Sequence, residues 1–223
     1  MSVHLHRDLD RLQKRIVTLA GDVEVNVEKS VKALFNRDAQ LAQDMMAGDN
    51  AIDMEENQIE EDCLKILALH QPVAVDLRRV TAILKINSDL ERMGDLAENI
   101  AERVFALCSA GLDVPIAPTF QQMADLTNTM VRDSLDAFVN LDAMQARRVC
   151  RLDEEVDRYN RDIISQIIAF MQKSAAHVEP GLNLFSICRQ LERIADHATN
   201  IAEDVVYLVE GSIIRHHPEA IVV

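Results

Sequence analysis

Glu91, Asp95 and Asn99 stand four residues apart in the stretch LERMGDLAENIAERV, Leu90 to Val104. On a helix that spacing lines two carboxylates and an amide oxygen along one stripe. Glu192, Asp196 and Asn200 repeat it in LERIADHATNIAEDV, Leu191 to Val205, at an offset of 101 residues and with ten of fifteen positions identical. Oxygen donors of this kind suit hard cations such as Mg, Mn, Ca or Fe, and not a thiolate site. Like charges at i, i+4 weaken an isolated helix slightly, and a bound cation would reverse that sign. A solvated acidic face is the competing reading for one copy alone. Retention of the same acids and the same Asn in both halves favours the ligand reading.

A second set of carboxylates has the same spacing. Asp49 and Asp53 are i, i+4, and so are Asp153 and Asp157. In antiparallel bundles the start of one helix often lies near the far part of the next. Each half can therefore converge a DxxxD pair on an ExxxDxxxN stripe, with N-capping as the alternative role for these acids. Other chemistry finds little footing. Neither central motif has the Glu-x-x-His step of inward-facing di-iron bundles. No Gly-rich phosphate loop, nucleophile elbow or CxxC occurs. His197 falls off the acidic stripe and reads as a partly buried flank histidine. The pairs His4/His6 and His216/His217 sit at the chain ends and read as solvated. The methionines fall at apolar helix positions and read as core filler. Arg78 and Arg79, with Lys85 beyond them, offer a landing site for an acidic partner; pairing with neighbouring acids is the plainer reading.

The elements that must hold these groups are helices. In the first motif Met93, Gly94, Ala97, Ile100, Ala101 and Val104 fall within ~80° of Leu90, a buried stripe. The acids lie on a second stripe ~120° away, so the site belongs on a bundle flank. Apolar residues from Leu5 to Leu34 step by three and four and predict one long helix, about 4–35, with Gly21 placed for close packing. A short helix, 39–47, and a third from Asp49 to His70 follow. A fourth runs from Val73 to about Cys108. SAGLDVPIAP, Ser109 to Pro118, is the linker. The second half repeats the plan: a helix capped by Thr119 to about Asn140, a short helix 141–150, a third opened by Asp153, a loop 174–181, and a last helix to Glu210 before a tail. The expected fold is all-α, two tandem three-helix bundles, with domains 1–112 and 113–223.

Aromatics make up 4% of the chain, Trp is absent, and the formal net charge is −14. The charge argues against nucleic acid and anionic membranes as partners. Cys63, Cys108, Cys150 and Cys188 are widely spaced and read as reduced thiols of a cytosolic protein. No apolar signal segment or ~20-residue apolar run is present, so no membrane insertion is expected.

At these motifs the chain resembles the PhoU family of bacterial phosphate-specific transport accessory proteins. The resemblance covers nearly all of it. It is carried by HQPVAVDLRRV (His70 to Val80), LKINSDLERMGDLAENIAE (Leu84 to Glu102) and LERIADHATNIAEDVVYLVEG (Leu191 to Gly211). It implies two similar three-helix bundles and a cytoplasmic, usually dimeric, non-enzymatic regulator. Such a regulator couples the phosphate ABC transporter, through its ATPase subunit, to a sensor histidine kinase. It keeps the phosphate-starvation response off when phosphate is plentiful. It further implies surface metal ions, divalent or trivalent (Mg, Mn, Fe or Zn), on Asp49, Asp53, Glu91, Asp95 and Asn99 in the first half. In the second half the set is Asp153, Asp157, Glu192, Asp196 and Asn200. The second half lacks the PVAxDLR string, so a partner contacting that string through Arg78 and Arg79 would meet only the first half. A metal-storage or metal-dependent hydrolytic bundle is the alternative function, and an α-helical chaperone-like binding module unrelated to phosphate is a third.

Overall fold

The computed structural model describes residues 3–48, 50–110 and 114–215. Among them the elements run α1 (Val3–Asn36), α2 (Ala39–Met46), α3 (Asn50–His70), α4 (Ala74–Ser109), α5 (Pro118–Asn140), α6 (Ala143–Met171) and α7 (Val178–Glu210). A 3-10 turn, Ala175–His177, precedes α7, and no strand occurs among the described residues. Long helices α1, α3 and α4 form one bundle and α5, α6 and α7 the other, as the internal repeat predicts. The long apolar series of α1 is buried from Leu5 through Leu34, and so is the central stripe of α4 from Leu90 to Val104.

The repeat is written into the joints. Arg37 and Leu141, 104 residues apart, both take left-handed backbone angles, φ 52° and 53°. After each, an Asp N–H reaches back to close the preceding helix: Asp38 to Ala33 O at 3.0 Å, Asp142 to Ala137 O at 2.9 Å. The same Asp then caps the next helix. Asp38 accepts from Leu41 N–H, and Asp142 from the N–H groups of Met144 and Gln145. Each cap contributes roughly 1 kcal/mol. Ser30 and Ser134, also 104 apart and both fully buried, donate to Val27 O and Val131 O at 2.8 Å.

Several boundaries differ from the sequence expectations. The expected short helix 141–150 and the helix start at Asp153 are one continuous α6. Gly48 ends α2, whereas Leu152, its counterpart, is a good helix former where glycine would cost about 1 kcal/mol. Ala117, not Thr119, is the N-cap of α5, with Pro118 in its first turn. The expected loop 174–181 is mostly helical: Ser174 caps the 3-10 turn, and α7 begins at Val178. Gly21 is exposed with no neighbour near its missing Cβ, so close packing does not explain it. Met54 and Met144 are exposed, unlike the buried Met93, Met123 and Met130. The expected tail is also partly packed, since Ile214 is buried. The proposed division at 112/113 lies outside the described residues. Val114, just beyond it, is anchored to the first bundle by Arg37 Nη2 donating to its carbonyl at 2.8 Å.

The bundles meet mainly along α4 and α7. Lys85 pairs with Asp204 and Asp89 with His197, so the two helices run antiparallel. The two helices that carry the repeated motif thus meet in opposite directions.

Candidate metal centres on the bundle flanks

α3 lies close on α4 at Gly94: a Cβ there would stand 3.3 Å from Ile52 Cδ1. The residues beside this contact are acidic. Asp53, Glu91 and Asp95 each place one carboxylate oxygen within 4.8 Å of the others. Partial burial lifts the Glu91 carboxyl above its ordinary range, the charge of Asp95 adds to it, Arg92 opposes it, and Glu56 and Asp53 add smaller amounts. Burial also lifts Glu56, next to Glu60 and Asp53. Glu56 was not singled out from sequence. Its counterpart 104 residues on is Asn160, so the repeat hides it. Asn87 Nδ2 holds Glu56 in place, donating to its backbone O at 3.0 Å and to Oε1 at 3.2 Å. Asn99 keeps to its own helix, Nδ2 donating to Asp95 O at 2.8 Å. Asp49 lies outside the described residues.

The second half gathers its acids more loosely; among the described residues only Asp53, Glu91 and Asp95 make a three-ligand group. Asp153 and Asp157 on α6 face Glu192 and Asp196 on α7. The Asp196 carboxyl is pushed up to about 6, first by partial burial, then by the charges of Glu192, Asp153 and Asp157, with His197 opposing. Asp153 is raised by burial and by Asp157, while the Thr199 hydroxyl, 3.4 Å away, pulls it down. Glu192 Oε1 accepts from Arg189 at 2.8 Å, but its Oε2 is buried with no hydrogen-bond partner. Asn200 turns away from these acids, its Nδ2 donating to Asp89 Oδ1 at 3.3 Å across the bundle interface. Clustered carboxylates, held partly desolvated, have the donor chemistry for a hard cation.

His197 is half-buried as expected, with Nδ1 2.7 Å from Asp89 Oδ1. Cys63, Cys150 and Cys188 are buried thiols pushed up to about 12 by desolvation, and Cys108 is half-buried; all four are free. Arg78 and Arg79 are less open to a partner than a landing site would require. Both are half-buried: Arg79 lies 3.7 Å from Asp10, and the Arg78 guanidinium packs on Gly211 where any Cβ would collide with it. The cause is the return of the α7 C-terminus across the start of α4, which no local pattern signals. His216 and His217 lie outside the described residues.

The model of the PhoU domain matches residues 16–104 and again 120–205. The chain belongs to the PhoU family. A phosphate-specific transport system accessory protein PhoU homolog of Pseudomonas putida is 37% identical over 97% of this chain and 84% of its own length. The homolog of Aquifex aeolicus is 36% identical over 95% of this chain and 96% of its own. The crystal structure of PhoU from Pseudomonas aeruginosa superposes with a TM-score of 0.90 at 36% identity, covering 93% of this chain and 99% of that one. The phosphate transport system regulatory protein PhoU from Streptococcus pneumoniae gives 0.85 at 32%, covering 94% and 98%.

Proposed function

We propose that this chain is an accessory protein of a phosphate-specific transport system. It works in the cytoplasm as a non-catalytic, homodimeric adaptor between the transporter's ATPase subunit and a sensor histidine kinase. It holds the phosphate-starvation response off when phosphate is plentiful. The observation that carries this reading is the family match over nearly the whole chain, both repeats included. No helix among the described residues is long and apolar enough to cross a membrane, which fits an adaptor that reaches a transporter from outside the bilayer.

Metal ions belong to the same proposal. Asp53, Glu91 and Asp95 would hold one in the first half; Asp153, Asp157, Glu192 and Asp196 would hold one in the second. A divalent or trivalent cation there would neutralise repelling carboxylates and tie α3 to α4, or α6 to α7. The metal's role is thus to stiffen the helical surface that partners read. The experiment is deletion of the gene, with complementation, followed by a reporter of the starvation response at high phosphate. A binding measurement between the purified chain and the ATPase subunit and kinase accompanies it. Constitutive induction with direct binding supports the adaptor. Normal repression in the deletion strain removes it.

A further inference from the structure

The row of oxygen donors between α3 and α4 runs on past Asp53, Glu91 and Asp95. Glu56 stands one turn beyond Asp53 on α3, and Asn87 one turn before Glu91 on α4. The two meet: Asn87 Nδ2 donates to Glu56 O at 3.0 Å and to Oε1 at 3.2 Å. Glu56 is half-buried, and its charge is felt at Glu91. Neither Glu56 nor Glu60, a further turn on, makes an ion pair among the described residues. Asn87 is 1% exposed, yet its Oδ1 has no hydrogen-bond partner among the described residues. That oxygen belongs to the same planar amide that Nδ2 lays against Glu56, so a buried, unmet acceptor stands beside the carboxylates. Leaving it unmet is costly, and a hard cation is a partner that can meet it.

The second flank lacks these parts. Asn160 takes the place of Glu56, Ile164 that of Glu60 and Cys188 that of Asn87. Asn160 is 5% exposed, and its Oδ1 accepts from Cys188 Sγ at 3.2 Å, so its oxygen is spent in the core. Cationic neighbours also differ. In the first flank Arg92 opposes the charge at Glu91. In the second, Arg189 lies 2.8 Å from Glu192 and His197 opposes the charge at Asp196; their counterparts are Ser88 and Leu96. The first flank is therefore the more negative of the two.

We propose that Glu56, positioned by Asn87, makes the first flank select trivalent cations, whereas the second flank is a divalent site. This rests on the proposal that the flanks hold metal. Asp53, Glu91 and Asp95 hold the ion, and Glu56 adds a further negative charge at its edge. The attraction between a carboxylate and an ion scales with the ion's charge, so each added carboxylate helps a trivalent ion half as much again as a divalent one. The number of charged ligands is also what tunes affinity in oxygen-donor sites. Asn87 supplies no charge. It holds Glu56 beside Glu91, leaves Oε2 free for the ion and offers its own Oδ1.

Calorimetric titrations of the full chain compare Mn²⁺ with Tb³⁺, a hard trivalent ion. Asp196→Ala leaves the first flank to be read alone, and Asp95→Ala the second. The ratio of the Mn²⁺ to the Tb³⁺ dissociation constant should be roughly tenfold larger at the first flank. Glu56→Gln keeps the shape of the side chain and an oxygen for Asn87 Nδ2. If it weakens Mn²⁺ about tenfold it should weaken Tb³⁺ about thirtyfold, lowering the first-flank ratio about threefold and leaving the second flank unchanged. Asn87→Leu removes no charge and should lower the ratio in the same direction; a residue that only held the fold would weaken both ions alike. Equal ratios at the two flanks, or a first-flank ratio indifferent to Glu56→Gln, overturn the inference while the metal proposal stands. No saturable binding of either ion to the wild-type chain overturns both.

Discussion

Ile52 Cδ1 lies 3.3 Å from where a Cβ on Gly94 would stand, and the second half makes the opposite exchange. The counterpart of Gly94 is Ala195, and that of Ile52 is Val156, both buried. A methyl group gained on α7 is matched by one lost on α6. The position next to each pair is acidic: Asp53 and Asp95 in one half, Asp157 and Asp196 in the other. The glycine therefore sets how near α3 comes to α4 where the tighter carboxylate group forms.

Swapping the first pair for the second should be better tolerated than either change alone. Gly94→Ala gains helix propensity of about 1 kcal/mol but overpacks the contact by ~1–3 kcal/mol. Ile52→Val removes a buried methylene for ~0.5–1.5 kcal/mol. In the double variant the new methyl fills the vacated space. Urea unfolding of the four proteins should show a favourable coupling of about 1 kcal/mol. Additive losses would mean that the helices separate instead of repacking.

The long helices, their buried stripes and the two-bundle plan were legible because apolar periodicity and the repeat are local signals. Glu56 was not, since it belongs to the cluster through a partner, Asn87, that lies on another helix. The burial of Arg78 was not, because Gly211 lies far along the chain and only the antiparallel packing of α4 on α7 brings it near. The break expected before Asp153 failed for a different reason. The repeat is not exact at this joint: Gly48, which follows α2, has Leu152 in its place, and a leucine lets the helix continue.

Asp196 gives the metal-free protein a definite pH dependence. Its carboxyl is pushed up to about 6, so the folded state holds the proton more tightly than the unfolded chain. The penalty for ionising it is absent below the ordinary Asp value, about 3.9, grows as pH rises, and is complete above about 6. Asp196→Asn should therefore raise the melting temperature at pH 7, with the gain shrinking toward pH 4. Equal gains at both ends would assign the effect to something other than titration.

The interface between bundles has its own hinge of charge. Asp204 is buried, and Lys85 Nζ lies 2.8 Å from its Oδ1, while Arg215 stands 4.0 Å from Oδ2. Removing the lysine leaves a buried carboxylate with one distant cation. Lys85 itself is half-exposed, so Lys85→Met should cost about 1–3 kcal/mol, and adding Asp204→Leu should recover most of it, because the buried carboxylate is then replaced by an apolar side chain. The readout is chemical unfolding; a double variant as unstable as the single would place the loss elsewhere than in the stranded charge.

Metal should stabilise the fold through both flanks, and unequally. In each half the unliganded acids repel one another, and Glu192 Oε2 has no hydrogen-bond partner. A cation that binds only the folded chain adds about 2.7 kcal/mol at a hundredfold excess over its dissociation constant. The first site should saturate at lower metal, since Asp53, Glu91 and Asp95 already bring their oxygens within 4.8 Å. Calorimetric titration with Mn²⁺ should then show two classes of site. Asp95→Ala should remove the tighter class and Asp196→Ala the weaker one. The double variant should lose the metal-induced rise in melting temperature. A rise that persists in it would move the cation to other ligands, and a single class lost with Asp196→Ala alone would reverse the order of the two flanks.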